Sequence, residues 1–224
     1  SQNAEISTSV SQYLRYDVFM RVITVMNLKG GSAKTTSTAY LAHAYAQQGQ
    51  NVLIVDADPQ GSALRWSEAG EWDIPTLALP VKNLHTRLGG IVSPEVDVVL
   101  IDTPPLHYQA VIVFSGAWAA DTIVVTMAPT MLEFERLPDV WAAIEEVEPL
   151  RSASANVVVL LNRTIANANS TAMYRELIEE DGHYVLTTTI PRREQIAQSF
   201  AAPVTDLGNY AAAAKEIQDL AVKS

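Results

Sequence analysis

The chain has 224 residues, 48% of them hydrophobic, and it sets 15 Lys and Arg against 25 Asp and Glu for a formal net charge of −10. That length suits one domain or two small ones, and the apolar share buries a core without covalent staples. With no cysteine, disulfides, cysteine-ligated zinc or iron–sulfur centres and a thiol nucleophile are excluded, and the acidic balance argues against a broad nucleic-acid-coating surface, since phosphate affinity comes from Lys and Arg.

Residues 1–19 are rich in Ser and Gln and lack the regular pattern of the rest. They read as an N-terminal extension of undefined role, in which Tyr13, Leu14, Tyr16, Val18 and Phe19 offer docking groups, ahead of a single domain over 20–224. No run approaches the ~18 apolar residues of a membrane span. No basic flank followed by an apolar stretch marks a leader. A soluble, cytoplasmic protein with no membrane partner is the expectation.

The pattern starts at Met20. Residues 22–26 read as a strand, 36–48 as a helix closed at Gly49, 52–55 as a strand ending in Asp56, 96–101 as a strand ending in Asp102, and 122–127 as another. Leu137, Val140, Trp141, Ile144 and Val147 fall at helical spacing, and residues 157–161 and 184–190 supply further strands. Leu207, Tyr210, Ala214, Ile217 and Leu220 line one face of a C-terminal helix. Continuous apolar strands alternating with helices predict an α/β fold, a mostly parallel twisted sheet with helices on both faces. Ligands of such sheets bind at the carboxyl ends of the strands.

Directly after the first strand comes Asn27-Leu28-Lys29-Gly30-Gly31-Ser32-Ala33-Lys34-Thr35-Thr36, which then opens a helix. A glycine-rich turn lets successive backbone N–H groups converge on phosphate oxygens at a helix N-terminus. Lys34 is placed to reach the β- and γ-phosphates and the Thr35 hydroxyl to sit on Mg²⁺, with Gly30, Gly31, Ser32, Ala33 and Thr36 completing the cradle. The common phosphate-loop pattern has Gly where this chain has Leu28 and Ala33.

Asn-x-Lys-Gly-Gly-x-x-Lys-Thr-Thr resembles the deviant Walker A motif of ParA/MinD-type ATPases, a branch of the P-loop NTPases. The resemblance implies that Lys29 is the signature lysine, which reaches across a dimer interface to the partner's nucleotide and stabilises transition-state charge as an arginine finger does. Asp56-Ala57-Asp58-Pro59-Gln60-Gly61 looks like the family's switch I, with Asp58 orienting the attacking water and Asp56 near the magnesium shell. Asp102-Thr103-Pro104-Pro105 looks like its Walker B and switch II, with Asp102 holding Mg²⁺ through water. Asn162 occupies the place of an adenine-contacting Asn. Ile190-Pro191-Arg192-Arg193 resembles the segment that flanks the base through Pro191 and in some members supports DNA binding, here through Arg192 and Arg193. The short chain and Ser62-Ala63-Leu64-Arg65-Trp66 look most like the small ParF-like plasmid partition proteins.

By this resemblance the chain is a ParA-type ATPase that binds ATP and Mg²⁺, closes as a homodimer around the nucleotides, binds nonspecific DNA, associates with the nucleoid, and drives DNA partition with a centromere-binding, ParB-like adaptor. Two departures bear on that reading. Ala33 stands where the family has Gly, and its Cβ is expected to shift the backbone or to require φ < 0, which bears on hydrolysis. Arg192-Arg193 is the only adjacent basic pair, whereas nonspecific DNA binding neutralises several phosphates. Other readings stay open. A MinD-like membrane-positioning ATPase needs a basic amphipathic tail. A small-molecule synthetase of related fold needs no signature lysine. A weakly hydrolysing, ATP-gated scaffold is favoured by Ala33.

Overall fold

The computed structural model describes residues 20–221, so the extension over 1–19, with Tyr13, Leu14, Tyr16, Val18 and Phe19, lies outside the described residues. Eight strands form the sheet: β1 (Arg21–Met26), β2 (Val52–Asp56), β3 (Thr76–Ala78), β4 (Val98–Asp102), β5 (Thr122–Met127), β6 (Asn156–Thr164), β7 (Tyr184–Val185) and β8 (Ile190–Pro191). Their order is β3-β2-β4-β1-β5-β6-β7, with β8 also pairing to β6, and every pairing is parallel. β2, β4 and β5 are buried along their whole length, as strands covered on both faces must be.

The helices that cover them are α1 (Lys34–Gln47), α2 (Ser62–Ala69), α3 (Leu84–Ile91), α4 (Leu106–Ala119), α5 (Met131–Phe134), α6 (Leu137–Val147), α7 (Ser170–Glu180), α8 (Glu194–Ala197) and α9 (Tyr210–Ala221). One face of the sheet packs against α1, α2 and α9 through Tyr40, Leu41, Tyr45, Trp66, Tyr210 and Ile217. The other packs against α3, α4, α6 and α7 through Leu84, Leu88, Ile112, Val113, Val140, Ile144 and Ile178. Right-handed crossovers explain the division, because α1 leads from β1 toward β2 on one side and α4 from β4 toward β5 on the other. β1 lies between β4 and β5, so the loops after β1 and β4 open at the point where the winding reverses, the place ligands use in open α/β sheets.

The expected strand over 184–190 is instead two short strands. The N–H groups of Thr187 and Thr188 donate to the Glu216 carboxylate at 2.6 and 2.9 Å rather than to a neighbouring strand, and the pairing of β6 shifts register between Asn162 and Thr164. The strand expected from residue 96 begins at Val98, since Val96 N–H closes a turn onto Ser93 O at 3.0 Å. Leu207 is buried but precedes α9.

Candidate functional site

The site is built on the ends of β1, β2 and β4. β4 pairs with both neighbours in a register that sets Asp102 beside Asp56 of β2 and beside Val25 of β1. Thr103 continues the link by donating its hydroxyl to Val25 O at 2.8 Å. The loop after β1 is fastened to the start of α4, where Leu106 N–H donates to Asn27 O at 3.2 Å and His107 N–H to Leu28 O at 3.1 Å. Asn27 also donates through Nδ2 to Thr126 O and accepts Leu28 N–H on Oδ1. The loop therefore starts from a fixed anchor shared by β1, β5 and α4.

Within the loop Gly31 takes φ 78° and Ala33 takes φ 66°, both left-handed. Of the two outcomes expected of its Cβ, a shifted backbone or φ < 0, Ala33 does not take the second. The closure onto α1 forces the glycine-like conformation, with Ser37 N–H donating to Ala33 O at 2.8 Å as the helix opens. Lys34 is buried, and its ammonium donates to Lys29 O at 2.9 Å. Ser32 Oγ donates to the same carbonyl at 3.2 Å, so the loop is wrapped around the Lys34 side chain. Burial lowers the Lys34 pKa, against the opposing pull of Asp102, Asp58 and Glu133. Lys29 itself is exposed, as are Gly30 and Gly31.

Of the carboxylates at and just after the ends of β2 and β4, Asp102 and Asp58 attract this buried ammonium, and Asp56 lies beside Asp102. Asp102 is fully buried and accepts Thr35 Oγ1 at 2.7 Å and Thr38 Oγ1 at 3.5 Å. Burial pushes its pKa up to about 7, with the Thr35 hydroxyl acting in the other direction and Asp56 adding to the rise. Asp56 is also buried; Oδ1 accepts Asp58 N–H at 3.1 Å and Oδ2 accepts Leu64 N–H at 2.9 Å. It therefore braces the turn after β2 and the first turn of α2. Burial raises its pKa and those two N–H groups restrain the rise. Asp58 is half-buried and accepts Gln60 N–H at 2.9 Å.

Two adjoining clefts meet over the loop. One, of about 500 Å³, is lined by Gly30, Lys34, Thr35, Asp58, Pro104 and Tyr108 among others. The second, of about 650 Å³, runs past Ala33 and Thr36 to Asn162, Pro191, Phe200 and Tyr210. Gly31, Ala33, Thr35, Thr36 and Ser62 line both. The first cleft brings Lys34 and Asp58 together, and the second sets Ile190, Pro191 and Phe200 beside Arg163, Arg192 and Arg193, a pairing with places for a polyphosphate and a planar base. The donor set fits a hydrated Mg²⁺ as well. Among the described residues no three His, Cys, Asp or Glu side chains converge as a metal cage, and Mg²⁺ ordinarily keeps several waters beside one or two carboxylates and substrate phosphates.

Arg192 and Arg193 lie on the rim of the second cleft and are exposed. Arg193 pairs with Asp206 at 3.9 Å. Two site groups were not found from sequence. Glu133 approaches Asn27 Nδ2 at 3.5 Å and pairs with Arg163 at 3.9 Å; no motif surrounds it. Tyr210 reads in the sequence as one more apolar step of a helical stripe.

The model for the CobQ/CobB/MinD/ParA nucleotide-binding domain matches residues 23–203. The chain belongs to this family. Among its relatives, maintenance of carboxysome distribution protein A of Halothiobacillus neapolitanus is 32% identical over 184 residues, covering 76% of this chain and 79% of the relative. The chromosome-partitioning ATPase Soj of Thermus thermophilus is 28% identical over 215 residues, covering 80% and 84%. In fold, the chain is similar to cobyrinic acid a,c-diamide synthase of Mycobacterium smegmatis solved with ADP and magnesium, with a TM-score of 0.69 at 22% identity and coverage of 91% of this chain and 94% of that one. The parallel sheet with helices on both faces is thus the family's nucleotide-binding fold. Among the described residues no helix is long and apolar enough to cross a membrane.

Proposed function

We propose that the chain is a Mg²⁺-dependent ATPase that uses nucleotide-gated dimerisation to position a cargo. The observation that carries this is the arrangement around Lys34: a buried ammonium wrapped by its own loop, a Thr35–Asp102 pair beside it, and a second lysine, Lys29, exposed on the same loop. Lys34 and the N–H groups of residues 30–36 bind the ATP phosphates. Thr35 and Asp102, with Asp56 behind them, hold the hydrated Mg²⁺, which when bound offsets charge on the β- and γ-phosphates. Asp58 orients the attacking water. Lys29 reaches the nucleotide of a second copy, so the site is completed by dimerisation, and hydrolysis releases the pair. Pro191 and Asn162 border the base.

The cargo we favour is DNA, held nonspecifically through Arg192 and Arg193 of both subunits and engaged with a ParB-like adaptor, in the cytoplasm at the nucleoid. The relationship to Soj supports that choice. A second reading, a carboxysome as cargo with a different adaptor, is favoured by the 32% identity to the carboxysome distribution protein. The test is DNA binding by purified protein with ATP, with ADP and without nucleotide across a salt series. ATP-specific, salt-sensitive binding weakened by Arg192→Ala and Arg193→Ala supports DNA as the track or cargo. No binding at any salt overturns it.

A further inference from the structure

A third cavity, of about 730 Å³, opens at the opposite end of the sheet, where β1, β5 and β6 begin. Met20, Trp118, Ala119, Asp121, Arg151 and Asn156 stand in its wall. α4 runs from Leu106, beside the nucleotide loop, to Ala119, so roughly 20 Å of helix separates this cavity from the two clefts.

Arg151 closes the cavity on one side. Its side chain is 7% exposed, and it donates to the carbonyls of Ala117, Trp118 and Ala120 at the end of α4 and, through Nε, to Ala153 O at 3.1 Å. The guanidinium is thereby committed to the helix end rather than to a ligand. Trp118 makes another side. Its ring stacks on His85, with centroids 4.1 Å apart and planes 8° from parallel. Ser115 Oγ, on a residue 3% exposed, accepts the His85 backbone N–H at 3.1 Å and lies 2.7 Å from His85 Nδ1. One face of the indole is covered in this way, and the rest of the ring is left for whatever enters the cavity.

We propose that the cavity is the seat of residues 13–19 of the same chain. Met20, which lines it, is bonded to Phe19, so the Cα of Phe19 stands only ~3.8 Å from that of Met20. Even fully extended, seven residues reach at most about 25 Å, and a tether this short holds its groups at about millimolar effective concentration. The chemistry matches on both sides. Tyr13-Leu14-Arg15-Tyr16-Asp17-Val18-Phe19 offers rings to the indole of Trp118. Its two tyrosines also bring hydroxyls to a wall that includes Ser152, Ser154 and Asn156, as an aromatic with a polar tip requires. Asp121 supplies a carboxylate opposite Arg15. Docking there joins the segment to the starts of β1, β5 and β6 and leaves both clefts over the nucleotide loop clear.

Trypsin cutting after Arg15 reads the docking, because cleavage of a site that opens and closes quickly follows the population of the open form. Release of residues 1–15 is followed by mass spectrometry for the full-length chain, for a synthetic peptide of residues 1–20, and for full-length Trp118→Ala and Ala153→Trp. Ala153 is exposed on the cavity wall, so Ala153→Trp fills the cavity without disturbing a buried group and serves if Trp118→Ala does not fold. Circular dichroism and the melting temperature check both. The full-length chain is expected to be cut at least about tenfold more slowly than the peptide, at a rate that does not depend on protein concentration. Each folded variant is expected to be cut at close to the peptide's rate, with ATP affinity unchanged. A wild-type rate equal to the peptide's, or protection that persists in the folded variants, overturns the seat and leaves the ATPase reading intact. Protection that grows with protein concentration overturns docking within one chain.

Discussion

The Thr35 hydroxyl donates to the Asp102 carboxylate across 2.7 Å, joining the first turn of α1 to the end of β4. Lys34 precedes Thr35 in sequence, so one helical turn carries both a buried cation and the hydroxyl that meets the carboxylate. Removing the hydroxyl leaves a buried acid with one hydrogen-bond donor fewer and, on the proposed function, takes away one oxygen that would hold Mg²⁺. Thr35→Ala should weaken the Mg²⁺-dependent part of ATP binding by about tenfold to a hundredfold while leaving Mg²⁺-free binding unchanged. Calorimetric titration of ATP with and without Mg²⁺ measures this, and an unchanged Mg²⁺ dependence would contradict it.

Ala33 holds φ at 66° in a region where a Cβ costs about 1–2 kcal/mol. Glycine adopts that conformation freely, although it also gains freedom in the unfolded chain. The steric relief is the larger effect where φ is positive. Ala33→Gly should raise the melting temperature of the nucleotide-free protein by about 2–4 °C, the shift that roughly 1 kcal/mol gives a chain of this size. Scanning calorimetry decides it, and an equal or lower melting temperature would show that the loop relaxes its alanine without cost.

Trp66 is 1% exposed and donates its indole N–H to Ala202 O at 2.9 Å. It ties α2, which follows the turn carrying Asp58, to the segment carrying Phe200, whose ring lies 5.7 Å from its own. Trp66→Ala should cost about 3–5 kcal/mol from the cavity it opens. Trp66→Phe should cost less, since it keeps most of the packing and loses only the hydrogen bond. Denaturant unfolding of both variants tests the order.

Glu216 supplies the pH dependence. Burial alone would raise its carboxyl, but the N–H groups of Thr188 and Thr187 outweigh that and leave it lowered from 4.5. A folded-state pKa below the unfolded one means that the stabilisation is present above the unfolded value and is lost as pH falls through the folded value. Glu216→Gln should therefore melt below the wild type at neutral pH, and the gap should close as the pH is brought below the lowered folded-state value. A gap that is the same at both pH values would show that the two N–H bonds do not depend on the charge.

The alternation of apolar strands and helices carried most of the sheet, because a strand buried on both faces leaves a continuous apolar run that needs no partner to be recognised. The turn after β1 was equally legible as a shape, since strand, glycine-rich turn and helix follow one another directly in the sequence. β3 was not, because its three residues sit at the sheet edge with Leu77 and Ala78 exposed, and so carry no pattern. The split of 184–190 was hidden because Glu216, which draws the N–H groups of Thr187 and Thr188 away from the sheet, lies on a different helix. The same limit concealed Glu133 and the polar contacts of Tyr210. Each acts through residues far along the chain, and local spacing contains no trace of such a partner.

The central claim, hydrolysis of ATP at this loop, is tested most directly by measuring ATP binding and phosphate release for the wild type, Lys34→Ala and Asp58→Ala. The wild type should bind ATP and release phosphate. Lys34→Ala should bind no ATP. Asp58→Ala should bind it with near-native affinity yet release phosphate at least about a hundredfold more slowly, the usual cost of losing a group that positions the nucleophile. Undiminished phosphate release in both variants would contradict the account.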